Sequence, residues 1–211
     1  MYTLYGTQGS GSAAVEVALE AIGAPFRTVR ASSWEPDSAV DELARLNPLK
    51  QIPTLQLPDG SVMTESAAIL LQLGLAHPQA GLLPADASAR AQAIRGLVFI
   101  AANCYAAISI ADFPARWCAD AEDDEATKKR IVRGTRARLH EHWTMFADLF
   151  PARPFLNGEK PGALDFLAAV VSKWSGTRAH LREARPGFFD ALQRIEHHPT
   201  VASVFARHWP T

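Results

Sequence analysis

Over the first 76 residues, short β-prone runs alternate with amphipathic helical runs, and this alternation is the tightest constraint on what the chain can fold into. Tyr2–Tyr5 is a four-residue β-prone run, followed by the small-residue loop Gly6–Gly11. From Ser12 the positions Val15, Ala18, Leu19 and Ile22 keep helical spacing, and Gly23 with Pro25 just beyond is a stop signal. Phe26–Val29 reads as a second strand and Asp37–Leu46 as a second helix, closed by Asn47-Pro48. Pro53–Leu57 and Ser61–Met63 flank Pro58-Asp59-Gly60, a hairpin turn. Glu65–Leu75 completes the order β-α-β-α-β-β-α. Interleaving of this kind calls for an α/β layer with the first two strands parallel and the hairpin antiparallel.

His77–Asp86, with two prolines and a glycine, reads as a linker. After it the chain is nearly all helical: Ala87–Ala111, Asp124–Leu149, Leu164–Ser175, Phe188–Arg194 and a short piece near Thr200–Arg207. The expected domains are therefore residues 1–76 and 87–211, joined by 77–86. The halves also differ in charge: 4 Lys/Arg against 9 Asp/Glu in residues 1–86, and 17 against 13 in residues 87–211. At 211 residues the chain can bury a core without disulfide or metal, and its net charge of −1 argues against a nucleic-acid binder or polybasic membrane protein. The run Asp120–Arg138 places acid before base, as on a solvated helix face aligned with its dipole.

Cys104 and Cys118, the two cysteines, fit neither a CxxC redox motif nor a zinc site. No metal is expected. His197-His198 are adjacent and cannot share a helix face, so they read as a solvated helix boundary. The start MYTLYGTQGS has neither basic nor apolar signal-peptide regions, and the apolar stretch Gly96–Ala111 is shorter than a membrane span. A cytoplasmic protein without membrane contact is expected.

The chemistry concentrates in Asn47-Pro48-Leu49-Lys50-Gln51-Ile52-Pro53-Thr54-Leu55, then Asp59-Gly60, then Thr64-Glu65-Ser66-Ala67-Ala68-Ile69. A proline at the start of a strand cannot donate to the ladder and leaves the Ile52 backbone free to pair with an extended peptide. Glu65-Ser66 open a helix after a strand. There the unpaired N–H groups attract a carboxylate, while Glu65 accepts from an ammonium. A backbone rail beside a zwitterion clamp suits a small peptide with an amino-acid head.

These segments resemble the glutathione-binding signature of the glutathione transferase family, and the resemblance spans essentially the whole chain. It implies a thioredoxin-like N-terminal domain and an all-helical C-terminal domain. It further implies a cis Ile52–Pro53 bond, backbone pairing of Ile52 with the cysteinyl part of glutathione, Glu65 and Ser66 on the γ-glutamyl group, and Gln51 and Lys50 near the glycyl carboxylate. The implied reaction is conjugation of the glutathione thiolate to an apolar electrophile, in a homodimer, with glutathione as co-substrate and no other cofactor. Another glutathione-dependent enzyme (isomerase, dehalogenase or peroxidase) and a non-catalytic interaction scaffold are the alternatives.

The family sets a Tyr, Ser or Cys against the sulfur at the start of the first helix. The loop Tyr5-Gly6-Thr7-Gln8-Gly9-Ser10-Gly11-Ser12 has no Cys, and Tyr5 lies within the strand and should pack. Ser10 is the expected catalytic hydroxyl, with Ser12, Thr7 and backbone groups as the other candidates. The arginine usual in this stretch is replaced by Ala13-Ala14, which leaves the class open. Asn103, Tyr105, Phe113 and Trp117 are expected to wall the electrophile pocket, with Ile108 and Arg116 in the same cluster, and Cys104 to be buried and inert. Gly162-Ala163-Leu164-Asp165 resembles the family's helix cap, with Asp165 at the third helical position as a structural residue.

Overall fold

The computed structural model describes residues 1–118 and 124–210. The acidic start of the 120–138 run, residues 120–123, lies outside the described residues. Four strands, β1 (Tyr2–Gly6), β2 (Phe26–Arg30), β3 (Thr54–Gln56) and β4 (Val62–Met63), form one sheet in the order β2-β1-β3-β4. β1 and β2 are parallel, with Tyr2 opposite Phe26, while β1–β3 and β3–β4 are antiparallel. The helices of this half are α1 (Ser12–Ala21), α2 (Val40–Leu46) and α3 (Ser66–Ala76). This is the α/β layer expected from the alternation and the thioredoxin-like arrangement that the family resemblance implies. α2 starts later than the expected Asp37 because Ser38 Oγ donates to the Glu35 carbonyl (2.6 Å) and accepts from the Ser32 N–H (3.0 Å). Such local bonds compete with the helical ladder.

The second half is helical: α4 (Ala87–Phe99), a π turn Ile100–Tyr105, α5 (Ala106–Asp112), a 3₁₀ turn Pro114–Trp117, α6 (Glu125–Leu149), α7 (Ala163–Val171), α8 (Thr177–Ala184), α9 (Pro186–His197) and α10 (Pro199–His208). The helix expected to run through Ser175 ends at Val171, because Ser175 (φ 56°) and Gly176 (φ 77°) turn the chain back into α8. α4, the π turn and α5 together form a continuous apolar helical span, Ala87–Asp112, long enough to cross a membrane by length and composition and so longer than the apolar run suggested. Ala93, Leu97, Ile100, Cys104 and Ile108 on it are buried, and it packs against α6 and α7. Burial pushes the Cys104 thiol up to about 12, which makes it inert as expected.

The two halves share their core. α1 packs against the sheet, α3, α7 and α10, and every residue from Ser12 to Leu19 is buried. Residues 77–86 are not a bare linker: Leu82 and Leu83 enter the core, Leu83 reaching the gap left by Gly74, and the Leu82 carbonyl accepts from Ala163 N–H (2.8 Å). α7 is fixed at its start by Asp165, fully buried, which accepts from the backbone N–H groups of Leu156 (2.8 Å), Asn157 (3.0 Å) and Gly162 (3.0 Å). Asp165 is structural, as expected. His197 and His198 do form the expected boundary, between α9 and α10; His197 is exposed there, while His198 is only partly so and stands edge-on against Phe155 with its Nδ1 buried.

Candidate active site

The loop between β1 and α1 leads the chain into the N-terminus of α1. Tyr5 is excluded from it: its phenol is buried and donates to Glu42 (2.6 Å), and burial followed by that hydrogen bond pushes its pKa up to about 12. Thr7 Oγ1 is also engaged, donating to the Glu35 carboxylate (2.9 Å). Ser10 and Ser12 converge. Ser10 Oγ donates to the Thr7 carbonyl (2.7 Å) and lies 2.8 Å from Ser12 Oγ, and Ser12 N–H donates to Ser10 Oγ (3.3 Å). The two hydroxyls thus close the turn that opens α1, and their protons are held within it.

A second support, absent from the sequence reading, reaches this loop from the far end of the chain. His208 on α10 accepts the Gly9 N–H at Nδ1 (3.2 Å), so its ring proton sits on Nε2 and donates to Glu16 (2.8 Å). Arg207 also binds Glu16 (2.7 Å) and pairs with Glu20, and its carbonyl accepts from Gln8 Nε2 (2.8 Å). Burial alone would raise the Glu16 carboxyl, but hydrogen bonds from His208 and Arg207 hold it below the usual carboxylate range. The only sequence clue was an acid placed among the apolar positions of α1.

Across the sheet, Asn47 organises the segment before β3. Its Nδ2 donates to the Gln51 carbonyl (3.0 Å) and Thr54 Oγ1 (3.1 Å), and its Oδ1 accepts from Leu49 N–H (3.1 Å). Lys50 and Gln51 are exposed, with Lys50 at φ 53°. The Ile52–Pro53 peptide is cis. Among the described residues, neither the N–H nor the C=O of Ile52 has a hydrogen-bond partner in the chain. α3 then opens without a side-chain cap: Glu65 holds φ 64°, an unfavourable region for a residue with a side chain, while Ser66 is buried. The Glu65 carboxylate and the Ser66 hydroxyl also make no hydrogen bond within the chain among the described residues. An uncapped helix start beside an open backbone rail can hold an anionic, peptide-like ligand.

The four pocket residues expected from the helical half separate. Tyr105, at the end of the π turn, reaches the mouth of α1, where its hydroxyl lies against Gly11. Asn103 turns to its own helix, its Nδ2 donating to the Phe99 carbonyl (3.1 Å) while its carbonyl accepts from His142 Nδ1 (2.9 Å). Phe113 and Trp117 are exposed on the segment after α5, with Arg116 stacked over the Phe113 ring (4.1 Å), and Ile108 is buried in the core. No group of three or more His, Cys, Asp or Glu among the described residues is arranged to hold a metal.

This site lies on a scaffold with known counterparts. Residues 12–74 match the family model for the N-terminal domain of glutathione S-transferase. YncG of Escherichia coli (strain K12), described as an uncharacterised GST-like protein, is 32% identical over 176 residues, 82% of this chain and 82% of its own. A probable maleylacetoacetate isomerase of Caenorhabditis elegans is 34% identical over 93 residues, 44% of this chain and 42% of its own. The crystal structure of a glutathione transferase homologue from Sulfitobacter, with bound glutathione, shares the fold at a TM-score of 0.82 and 26% identity, over 97% of this chain and 96% of that one. With matching sequence over four fifths of a GST-like relative and a shared fold nearly end to end, the chain belongs to the glutathione transferase family.

Proposed function

We propose that this protein binds reduced glutathione across the N-termini of α1 and α3, favours its thiolate there, and adds the sulfur to an apolar electrophile. The observation that carries the reading is the unpaired Ile52 backbone beside the uncapped start of α3. In this reading Ile52, held by the turn at Pro53, pairs with the cysteinyl unit. Glu65 accepts from the γ-glutamyl ammonium, Ser66 and the α3 N–H groups hold its carboxylate, and Lys50 and Gln51 face the glycyl carboxylate. The sulfur then rests at the start of α1 beside Ser10, where the helix dipole favours an anion. A free thiol of pKa near 8.5 is mostly protonated at neutral pH, and each unit by which the site lowers it is about 1.36 kcal/mol of preference for the thiolate. Oriented binding of the thiolate next to the electrophile supplies the rest of the acceleration. In this reading the protein acts in the cytoplasm and is a two-fold homodimer, for which the exposed Leu75 of α3 and Val98 of α4 offer apolar surface.

The likeness to a maleylacetoacetate isomerase favours a second reading, in which glutathione adds to a maleyl-type double bond and leaves again after rotation. Calorimetry tests the shared part. Wild type should bind glutathione, and Ser66→Ala should bind it roughly 10- to 150-fold more weakly, the worth of about 1.5–3 kcal/mol for a hydrogen bond to a charged group. Wild-type affinity in Ser66→Ala would remove the α3 site. Turnover of chloro-dinitrobenzene against a maleyl compound and a peroxide then separates transferase, isomerase and peroxidase.

A further inference from the structure

The π turn Ile100–Tyr105 interrupts the long helix Ala87–Asp112 at the residue that meets the N-terminal half, and π turns of this kind often mark functional sites. Tyr105 is held there by Trp174, whose ring stacks on it at 5.8 Å and 25°. Its hydroxyl lies so close to the start of α1 that a Cβ added to Gly11 would be 2.1 Å from Oη and 3.1 Å from Cζ. Gly11 is thus the position whose missing side chain admits the phenol.

Five hydroxyls come near this loop, and four are committed: Tyr5 to Glu42, Thr7 to Glu35, Ser10 to the Thr7 carbonyl, and Ser12 within the same turn. Ser12 lies 2.8 Å from Ser10 Oγ and 3.3 Å from the same carbonyl. The Tyr105 hydroxyl makes no hydrogen bond within the chain among the described residues. It remains a phenol at neutral pH, since burial first, and then the carboxylates of Asp112 and Glu65, push its pKa up to about 12.

Building on the glutathione reading above, we infer that Tyr105, supplied by the helical half, is the hydroxyl that hydrogen-bonds the glutathione sulfur, while Ser10 shapes the loop beneath it. On binding, the thiol S–H proton passes to solvent water. Tyr105 keeps its own proton and donates a hydrogen bond to the thiolate formed.

The test is a pH titration of the ultraviolet absorbance of bound glutathione thiolate in wild type, Tyr105→Phe and Ser10→Ala, with calorimetric affinities alongside. Tyr105→Phe should raise the midpoint by about one to two pH units, the worth of a hydrogen bond to a charged group, with glutathione still bound. Ser10→Ala should move it less. Gly11→Ala, whose new Cβ displaces the phenol, provides an independent variant and should raise the midpoint in the same direction. Unchanged midpoints in Tyr105→Phe and Gly11→Ala, with glutathione bound, would overturn the assignment while leaving the glutathione site standing. Failure of the wild type to bind glutathione would instead overturn that site, and this inference with it.

Discussion

Asp165→Ala should cost more stability than almost any other single polar change in this chain. The carboxylate is fully buried at the start of α7 and is the acceptor for three backbone donors, Leu156 (2.8 Å), Asn157 (3.0 Å) and Gly162 (3.0 Å). Alanine leaves all three N–H groups without this acceptor. A buried donor left unsatisfied costs about 1–3 kcal/mol, so even the low end for three gives roughly 3 kcal/mol. That is a large share of the roughly 5–15 kcal/mol that holds a typical domain folded. The effect reaches the candidate site, because α7 packs directly against α1. Urea unfolding followed by tryptophan fluorescence reads it out: with a slope of about 1–3 kcal/mol per molar urea, the midpoint should fall by about 1–3 M. Asp165→Asn keeps an oxygen that can serve Asn157 and Gly162 and turns its NH₂ on Leu156, so it should lose less than alanine. A loss below about 1 kcal/mol in Asp165→Ala would refute the claim that this carboxylate organises the start of α7.

Two further perturbations probe how the halves are joined. The Glu16 carboxyl is held below its ordinary value by His208 and Arg207, so its contribution to stability is complete above the ordinary value of 4.5 and is lost as the pH falls through the lowered one. Glu16→Gln should therefore be less stable at pH 7 and show a flatter acid limb in melting temperature between pH 7 and 3, and an acid limb identical to wild type would count against the Glu16–His208 tie. Gly96→Ala would bring a Cβ to 2.7 Å from Leu164 where α4 meets α7, and should cost about 1–3 kcal/mol of stability by overpacking, measured by the same urea titration. A neutral result there would mean that Leu164 has room to move aside.

Much of this architecture was legible from local pattern. Alternating runs and the Pro58-Asp59-Gly60 turn gave the order of the elements along the chain and the parallel and antiparallel senses of the strands, since a strand or helix declares its period within a few residues. Asp165 was legible because a helix cap joins residues three apart, and the Ile52–Pro53 and Glu65-Ser66 segments through their resemblance to the family's glutathione-binding signature, whereas the cis bond and the φ of 64° at Glu65 are seen only in the structure. The apolar composition of Leu82 and Leu83 was visible too, but the prolines around them suggested a linker and concealed the burial.

What the sequence could not declare are the pairings between distant parts. Glu16 looks out of place in α1 until α10 returns to it, 192 residues on, with His208 and Arg207. Tyr105 looks like one more aromatic on an apolar helix until the π turn and Trp174 aim its hydroxyl at Gly11. Periodicity fixes which face of a helix is apolar, and therefore that it will be buried. Which atoms then meet depends on how the close-packed layers settle against one another, and that is decided only when the whole core is assembled.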